Sequence, residues 1–277
     1  MTNALRITYH HHCGFSIHLG ETLLIFDYWE GKNREIPQDA KLTVERLRLY
    51  KNVYVFISNS HIDHLDNIIY DWQKIGNVHY YSSEDVPLQP NTDVLRVGDS
   101  IKVSSDIDVF AYGSTDWGVS FLVRVGKFYI FHAGNLNLWH WREESTPAQI
   151  EKAQEDFAAV LDTLRDLNIT IAFFPVDPRQ GLYFDAGAIQ FVLDIKPRLI
   201  IPMHYQNRPE IAQKFAMEIR NPNTEALAMT VPGVSANVEE INGEVYATIL
   251  SPDFYQDYDS NDDDTGFIEG TGKPVEF

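Results

Sequence analysis

The sequence predicts one continuous α/β domain. Short runs of β-branched and aromatic residues, separated by turn residues, fill the first half, and strands alternate with helices in the second half. The predicted strands of the first half are residues 5–9, 15–19, 22–26, 53–57, 78–81, 94–97, 101–103, 107–111, 119–125 and 128–131. Two predicted helices, residues 43–51 and 67–75, complete this half.

The second half is predicted to open with a long helix. Residues 145–147 (Ser-Thr-Pro) mark its start, because proline is favoured in the first helical turn. The remaining predicted elements are strands at residues 169–174 and 198–202, helices at 185–193 and 209–219, and paired strands within 228–249. The sequence shows no linker, repeat or change of composition before residue 250. We therefore expect one domain over residues 1–250, followed by a solvated acidic tail over residues 251–277.

Composition limits the classes of function. Of the 277 residues, 44% are hydrophobic, which is ample for a sizeable core. The 40 acidic residues outnumber the 22 basic ones and give a formal net charge of −18. Such a surface repels the phosphate backbones of nucleic acids and, for the same reason, a membrane surface, so we expect neither as a partner. A single cysteine excludes an internal disulfide, and the lack of a signal peptide or long apolar run favours a cytoplasmic location.

The most informative segment is the run Asn-Ser-His-Ile-Asp-His at residues 59–64. It follows the predicted buried strand 53–57, and a tight turn past a strand end can direct His61, Asp63 and His64 at one point. Imidazole and carboxylate together suit zinc, iron or manganese. The alternative is a set of surface residues that cap the following helix, but capping needs only Asp63 and leaves both histidines unexplained.

Further candidate side chains lie at other predicted strand ends. His204 follows the strand 198–202 and would suit the earlier cluster as a partner, although a lone histidine there is more often structural. His132 ends another strand and is expected to pack behind the Gly-Asn turn that follows it. His11 and His12 fall on opposite faces of an alternating strand, and neither is assigned to the site.

Other residues are candidates for lining a pocket. The segment 139–141 (Trp-His-Trp) offers aromatic rings that can bind a sugar or another ring, though such clusters more often pack a core. His140 is a candidate proton shuttle or replacement ligand. Arg179 follows a strand end where a substrate anion could meet it, and a surface ion pair with Asp177 is an equal alternative. Cys13 shows no sign of a catalytic partner.

These segments together resemble the metallo-β-lactamase fold superfamily, and more narrowly its L-ascorbate-6-phosphate lactonase-like hydrolases. That family has an Asp after an early strand, a His-x-His-x-Asp-His loop, a later His, a Gly-Asp turn and a final His often preceded by Ile-Pro-Met. Here these features match Asp27, residues 59–64, residues 134–135 (Gly-Asn) and His204, over roughly residues 5–206. The resemblance implies a four-layered αββα sandwich with the metals at one end, between the two sheets.

The departures from the family pattern fall on one metal position and on the bridge between the two. The first histidine of the loop is Asn59, the later histidine falls at Gly113, and the bridging aspartate is Asn135. Loss of that carboxylate weakens a two-metal site by several kcal/mol, because opposite charges at ~4 Å attract by about 4 kcal/mol at an effective dielectric near 20. The binuclear site is therefore expected to be degenerate.

The other metal position keeps all its ligands, which implies one divalent ion with a position open for water. Zinc is expected, with manganese and iron as alternatives. The predicted metal-site residues are His61, Asp63, His64, His204, Asn135, Asn59 and Asp116. Catalytic roles are predicted for Asp63, His140 and Asp116, with Asp116 expected to swing in for the missing ligand.

Two functions from different classes follow from this pattern. The favoured one is a metal-dependent hydrolase that acts on a small-molecule ester, lactone or phosphoester. The alternative is a non-catalytic pseudoenzyme that keeps the fold as a binding or assembly module. A nuclease of the same superfamily is disfavoured by the negative charge and by the absence of a basic patch. The sequence leaves a homo-oligomer open.

Overall fold

The structure is a computed structural model that describes residues 4–33 and 36–250. The predicted acidic tail, residues 251–277, lies outside the described residues. The strands, numbered in chain order, are β1 (Ala4–His11), β2 (Gly14–Leu19), β3 (Thr22–Phe26), β4 (Asn52–Ile57), β5 (Val78–Ser83), β6 (Thr92–Leu95), β7 (Ser100–Lys102), β8 (Ile107–Tyr112), β9 (Ser120–Val125), β10 (Phe128–His132), β11 (Ile171–Pro175), β12 (Leu199–Met203), β13 (Glu225–Ala226), β14 (Ser235–Ile241) and β15 (Glu244–Leu250).

Helices connect these strands. The α-helices found in the described residues are α1 (Val44–Leu47), α2 (Pro147–Asp162), α3 (Ala186–Ile195) and α4 (Pro209–Glu218). Three short 3-10 helices accompany them in the same part of the chain: Gln38–Ala40, Asn67–Ile75 and Pro178–Tyr183. The predicted start of α2 is confirmed, because the Thr146 hydroxyl accepts from the backbone N–H of Gln149 and the Gln149 side-chain oxygen accepts from the backbone N–H of Thr146.

Two helix predictions differ from the structure. The predicted helix 43–51 shortens to the single turn α1, and residues 67–75 form a 3-10 helix instead of an α-helix. In the 3-10 helix the buried side chains are Ile69 and Trp72, three residues apart. A 3-10 helix has three residues per turn and therefore places this pair in one row against the sheet.

The strands of the described residues form two sheets. One has eight strands in the order β15-β14-β1-β2-β3-β4-β5-β6, and the other has seven in the order β13-β12-β11-β10-β9-β8-β7. Strands β3 to β6 are parallel, and so are β10 to β13. Since parallel strands end at the same edge of a sheet, each sheet brings several of its loops together at one end of the molecule.

Alternation along each strand builds the layers. In β3, Leu24 and Phe26 join the core between the sheets, while Ile25 joins a second core under α1 and the 3-10 helix Asn67–Ile75. In β11, the ring of Phe173 meets Phe15 of the first sheet at 4.3 Å, whereas the next ring, Phe174, stacks on α3. The helices therefore cover the outer faces of two packed sheets, and the predicted αββα sandwich is confirmed.

No helix in the described part of the chain is long and apolar enough to cross a membrane.

Candidate metal centre

Three histidines and a cysteine meet at the end of the molecule where the parallel strands finish. The potential ligand atoms of His12, Cys13, His64 and His204 all lie within 4.8 Å of one another, and all four residues are buried. The His12 ring centroid lies 4.2 Å from that of His204 and 5.8 Å from that of His64. We call these four residues the histidine cluster.

His12 enters the cluster from the tight turn between β1 and β2. Its backbone has a φ of 53°, in the left-handed region, and its N–H donates to the Tyr9 hydroxyl at 2.9 Å. The turn is closed by Gly14, where a Cβ would lie 2.9 Å from the His11 carbonyl oxygen. Across the two sheets, the backbone N–H of His204 donates to the His12 carbonyl at 3.3 Å. This bond joins the turn to the end of β12.

His64 is oriented by a buried carboxylate. Its Nδ1 lies 2.7 Å from Oδ2 of Asp27, which also accepts from the Ser58 hydroxyl, while Oδ1 of Asp27 accepts from the Ser58 backbone N–H. Burial alone would raise the pKa of Asp27, but His132 and His64 hold that pKa below its usual value. The other ring nitrogen of His64, Nε2, is buried and has no hydrogen-bond partner among the described residues. It is therefore available to an ion.

His204 has an equivalent carboxylate partner. Its Nδ1 lies 2.9 Å from Oδ2 of Asp177, whose two oxygens are also held by the Arg179 guanidinium at 2.5–3.0 Å. Burial would raise the pKa of Asp177, but the contacts with His204 and Arg179 lower it strongly. Metal-binding histidines commonly carry such a carboxylate behind the ring, where it fixes the ring's orientation.

Asp63 adds a carboxylate to the cluster. Its Oδ2 lies 3.3 Å from Nε2 of His12. Although burial would raise the pKa of Asp63, its contacts with His12 and His64 hold that pKa far below the usual value. Burial and the neighbouring His204 lower the pKa of His12 to about 3. At neutral pH the site therefore holds an ionised carboxylate and a neutral imidazole, the forms that bind a cation.

Asn135 organises a second polar group beside the cluster. Its amide Nδ2 donates to Nδ1 of His61 at 2.9 Å and to Oδ2 of Asp116 at 3.4 Å. The His61 ring also packs against Trp117, with centroids 5.2 Å apart. The structure thus gathers Asn135, His61 and Asp116 into one hydrogen-bonded group. The Asn135 amide occupies Nδ1 of His61, so this nitrogen is not free for a metal ion. Their roles as ligands stay predictions.

Asn59 and Gly113 have structural surroundings of their own. The Asn59 Oδ1 accepts from the backbone N–H of His61 at 2.9 Å, and its Nδ2 donates to the Ser58 hydroxyl at 3.0 Å. Both polar atoms of the Asn59 amide thus have partners within the loop, and its role as a ligand stays a prediction. A Cβ on Gly113 would lie 3.3 Å from Val160 on α2, so this position faces the helix.

His140 lies outside the histidine cluster. Its ring packs edge-on against Tyr183 with centroids 5.4 Å apart, and burial together with Arg142 lowers its pKa. Its neighbours Trp139 and Trp141 stack on each other instead. No contact in the described residues links His140 to the cluster, and its catalytic role stays a prediction. His132 packs behind the turn, as expected, with Nε2 at 2.9 Å from the Cys13 carbonyl oxygen.

An aromatic and cationic rim borders the cluster. The Trp139 ring lies 5.6 Å from the His204 ring, and its Nε1 donates to the Asn135 carbonyl at 2.7 Å. Trp141 stacks on Trp139 at 5.7 Å, and the guanidinium of Arg179 lies 5.7 Å from the Trp141 ring centroid. The Arg179 side chain is 53% exposed, so a guanidinium faces solvent at the edge of the site.

Sequence reasoning missed four residues of this centre: His12, Cys13, Asp27 as an orienting carboxylate, and Asp177 in the same role. Alternation along a strand places His11 and His12 on opposite faces, but the chain turns at His12, where φ is 53°. The signal was the glycine at position 14, directly after the polar run, which marks a turn that delivers both His12 and Cys13.

The fold and the site together define a metallo-β-lactamase type of protein, and sequence comparison agrees. The chain belongs to the family described as the beta-lactamase superfamily domain, whose pattern matches residues 6–204. It is 25% identical over 229 residues to a UPF0173 metal-dependent hydrolase of Caldivirga maquilingensis, covering 78% of this chain and 88% of the relative. It is 23% identical over 258 residues to a protein of the same description from Opitutus terrae, covering 84% and 100%.

Two solved structures share the fold. Igni18, a metallo hydrolase from Ignicoccus hospitalis, superimposes with a TM-score of 0.63 at 17% identity, covering 86% of this chain and 100% of the other. YhfI from Bacillus subtilis, a metallo-beta-lactamase fold protein, gives a TM-score of 0.56 at 8% identity, covering 85% and 100%. At these identities the likeness concerns the fold alone.

The residues present fit the metal ion that this fold family implies. Three imidazoles converge with a carboxylate beside them, and the Nε2 of His64 is a buried nitrogen that nothing in the described chain satisfies. An unpaired buried polar atom costs roughly 1–3 kcal/mol, which a cation would recover. Asp63, His64, His204 and His12 are the residues that would hold the ion.

Proposed function

We propose that this protein is a metal-dependent hydrolase of small esters, lactones or phosphoesters, with one ion held by Asp63, His64, His204 and His12. The observation that carries the proposal is the buried, unpartnered Nε2 of His64, in a cluster with His12 and His204. The carboxylate of Asp63 lies 3.3 Å from His12. When bound, a divalent ion such as zinc lowers the pKa of a coordinated water from 15.7 to about 7 and so supplies hydroxide. Manganese and iron are the alternatives.

The residues of the chain perform the remaining tasks. Asp27 and Asp177 keep His64 and His204 in orientation, as the 2.7 Å and 2.9 Å contacts indicate. Arg179 offers a guanidinium at the rim, where it can bind an anionic group on the substrate, and Trp139 offers a ring face. This combination favours a substrate with a ring and an acidic group, in keeping with the lactonase-like branch that the sequence resembles.

The first test is metal content. Protein purified without chelator should contain about one zinc, manganese or iron per chain by elemental analysis, and Asp63→Ala should lose most of it. His79→Gln is the matched control, because His79 also pairs with an aspartate (2.9 Å from Asp93) but lies on β5. A wild-type chain that takes up no divalent metal, even when metal is added, would sink the proposal.

The second test is activity. Metal-loaded protein should hydrolyse at least one member of a panel of aryl esters, lactones and phosphodiesters. The Asp63→Asn variant should lose about 100-fold or more in kcat/KM, because removing a group that acts in the transition state commonly costs 10²–10³-fold. Hydrolysis that survives unchanged in Asp63→Asn would come from a contaminant and would contradict the proposal.

A pseudoenzyme is the second candidate, and one observation favours it. The amide of Asn135 pairs with His61 at 2.9 Å, so the second metal position is filled by a hydrogen bond. On this hypothesis the metal-loaded chain hydrolyses nothing, and the double variant Asn59→His, Asn135→Asp raises the metal content above one per chain. A wild-type chain that already binds two ions would contradict the hypothesis.

A further inference from the structure

Cys13, the one cysteine in the sequence, lies at the base of the histidine cluster. It follows His12 in the turn between β1 and β2 and is fully buried. Its carbonyl oxygen is held by His132 Nε2 at 2.9 Å, and the tightly packed Gly14 fixes the chain on its other side. The position of the sulfur is therefore set by the backbone on both sides.

The surroundings of the sulfur are polar on one side. Its Sγ lies within 4.8 Å of the ligand atoms of His12, His64 and His204. A cysteine that merely filled the core would not need three imidazoles around it, and the buried Nε2 of His64 has no hydrogen-bond partner among the described residues.

We propose that the sulfur of Cys13 is a ligand of the metal ion, so that the centre is a mixed sulfur, nitrogen and oxygen site. On binding, the thiol S–H bond breaks, its proton passes to solvent, and a sulfur–metal bond forms without any change of oxidation state. This inference rests on the metal site of the proposed function. A thiolate is a soft ligand, so the site prefers zinc over manganese.

Cobalt(II) substitution tests the sulfur directly. Wild-type protein loaded with one equivalent of cobalt should show an intense sulfur-to-cobalt charge-transfer band in the near ultraviolet, besides the weaker visible bands of a bound ion. In Cys13→Ser the charge-transfer band should vanish while the visible bands remain. Circular dichroism confirms that the variant is folded, and Cys13→Ala serves as a second variant without any ligand atom.

The outcomes separate this inference from the proposed function. If cobalt binds stoichiometrically and the wild type lacks the sulfur band, Cys13 is not a ligand, while the histidine and carboxylate site stands. If neither cobalt nor zinc binds to the wild type, both fail. A band that persists in Cys13→Ser would also overturn the inference, because the chain has no other cysteine.

Metal preference supplies a readout that needs no spectrum. Removal of orienting groups costs 10–100-fold in metal affinity, so loss of a ligand in Cys13→Ser should weaken zinc binding by about 100-fold or more. Manganese binding should change by less than about 10-fold, because manganese gains little from sulfur. Equal loss for both ions would show that the substitution only disturbs the fold, and would contradict the inference.

Discussion

At the scale of single residues, the buried carboxylates decide how the site is presented. Asp27 receives three hydrogen bonds, from His64 and from the backbone and hydroxyl of Ser58. A carboxylate in this position is acceptor only, so it requires a proton on Nδ1 of His64 and leaves Nε2 as the lone-pair nitrogen. The tautomer that binds metal is thus selected by a residue that never touches the ion.

The first prediction concerns this carboxylate. Asp27→Asn keeps the shape of the side chain but removes its charge, and its amide can donate to His64 and favour the wrong tautomer. Zinc affinity measured by competition with a chelator should fall roughly 10- to 100-fold. Asp93→Asn is the matched control, since Asp93 pairs with the half-exposed His79. An unchanged zinc affinity in Asp27→Asn would contradict the orienting role.

The second prediction concerns the buried His10. Its ring lies 2.8 Å from the Ser16 hydroxyl and 3.1 Å from the Ala40 carbonyl, and burial lowers its pKa to about 4. Between about pH 6.5 and pH 4, His10 is therefore protonated in the unfolded chain but neutral in the folded chain. Because protonation then favours the unfolded chain, the free energy of unfolding is highest above about pH 6.5 and decreases as the pH falls toward 4.

Denaturant unfolding of His10→Gln at two pH values tests this effect. The variant should have a lower free energy of unfolding than the wild type at neutral pH. Near pH 5 the difference between the two free energies should be smaller by about 2 kcal/mol, since the variant has no imidazole to protonate. A gap that is constant with pH would show that His10 already carries its proton in the fold.

At the scale of elements, glycines allow the loops of the two sheets to approach. Gly134 follows β10 with a φ of +56°, and a Cβ there would lie 2.7 Å from the Ser58 hydroxyl oxygen. Gly118 has a φ of +83°, and its Cβ would lie 1.9 Å from the Ser58 carbonyl oxygen. The loop that carries Asn59 to His64 is therefore pressed against the other sheet through glycine backbone.

The third prediction compares two glycines. Gly118→Ala introduces both the left-handed strain and a steric overlap with Ser58, while Gly126→Ala, with a φ of +57° and nothing within 4 Å, introduces only the strain. The control should lose about 1–2 kcal/mol of unfolding free energy. Gly118→Ala should lose a further 1–3 kcal/mol or so, as overpacking does. If both variants lose the same unfolding free energy in denaturant titrations, the overlap with Ser58 is relieved without cost and the prediction is wrong.

At the scale of the whole molecule, the proposed metal site spans the two sheets. His64 follows β4 of the eight-stranded sheet, His204 follows β12 of the seven-stranded sheet, and His12 lies in the β1–β2 turn. An ion held by all three links the layers at the end where their loops meet. Because the unfolded chain does not gather these residues, binding energy becomes folding stability.

The fourth prediction is a thermal shift. Zinc at about 1,000 times its dissociation constant should stabilise the fold by about 4 kcal/mol. For a chain of this size that shift in free energy raises Tm by roughly 10 °C. The increase should be largely absent in Asp63→Ala and unchanged in His79→Gln. A thermal shift that is the same in Asp63→Ala as in the wild type would place the zinc elsewhere.

The sequence predicted the α/β domain and most of its strands, because periodic apolar runs specify strands locally. It also predicted that Asp63, His64 and His204 would be neighbours, since each follows a strand end. The structure brings His64 and His204 into one cluster and places Asp63 beside its third histidine, His12. It could not predict that Asn59 and His61 would be engaged by hydrogen bonds with Ser58 and Asn135. Such bonds depend on the relative placement of separate loops.

What the sequence determined by itself was the set of strands, their turns and the strand-end histidines, since these follow from local patterns of apolar and turn residues. Only the tertiary structure decided that His12 and Cys13 reach the centre, because a left-handed residue redirects the chain between β1 and β2. The same holds for Asp177 behind His204, a contact between the loops after β11 and β12. Alternation along one strand cannot reveal contacts made across two sheets, and those contacts select the ligands.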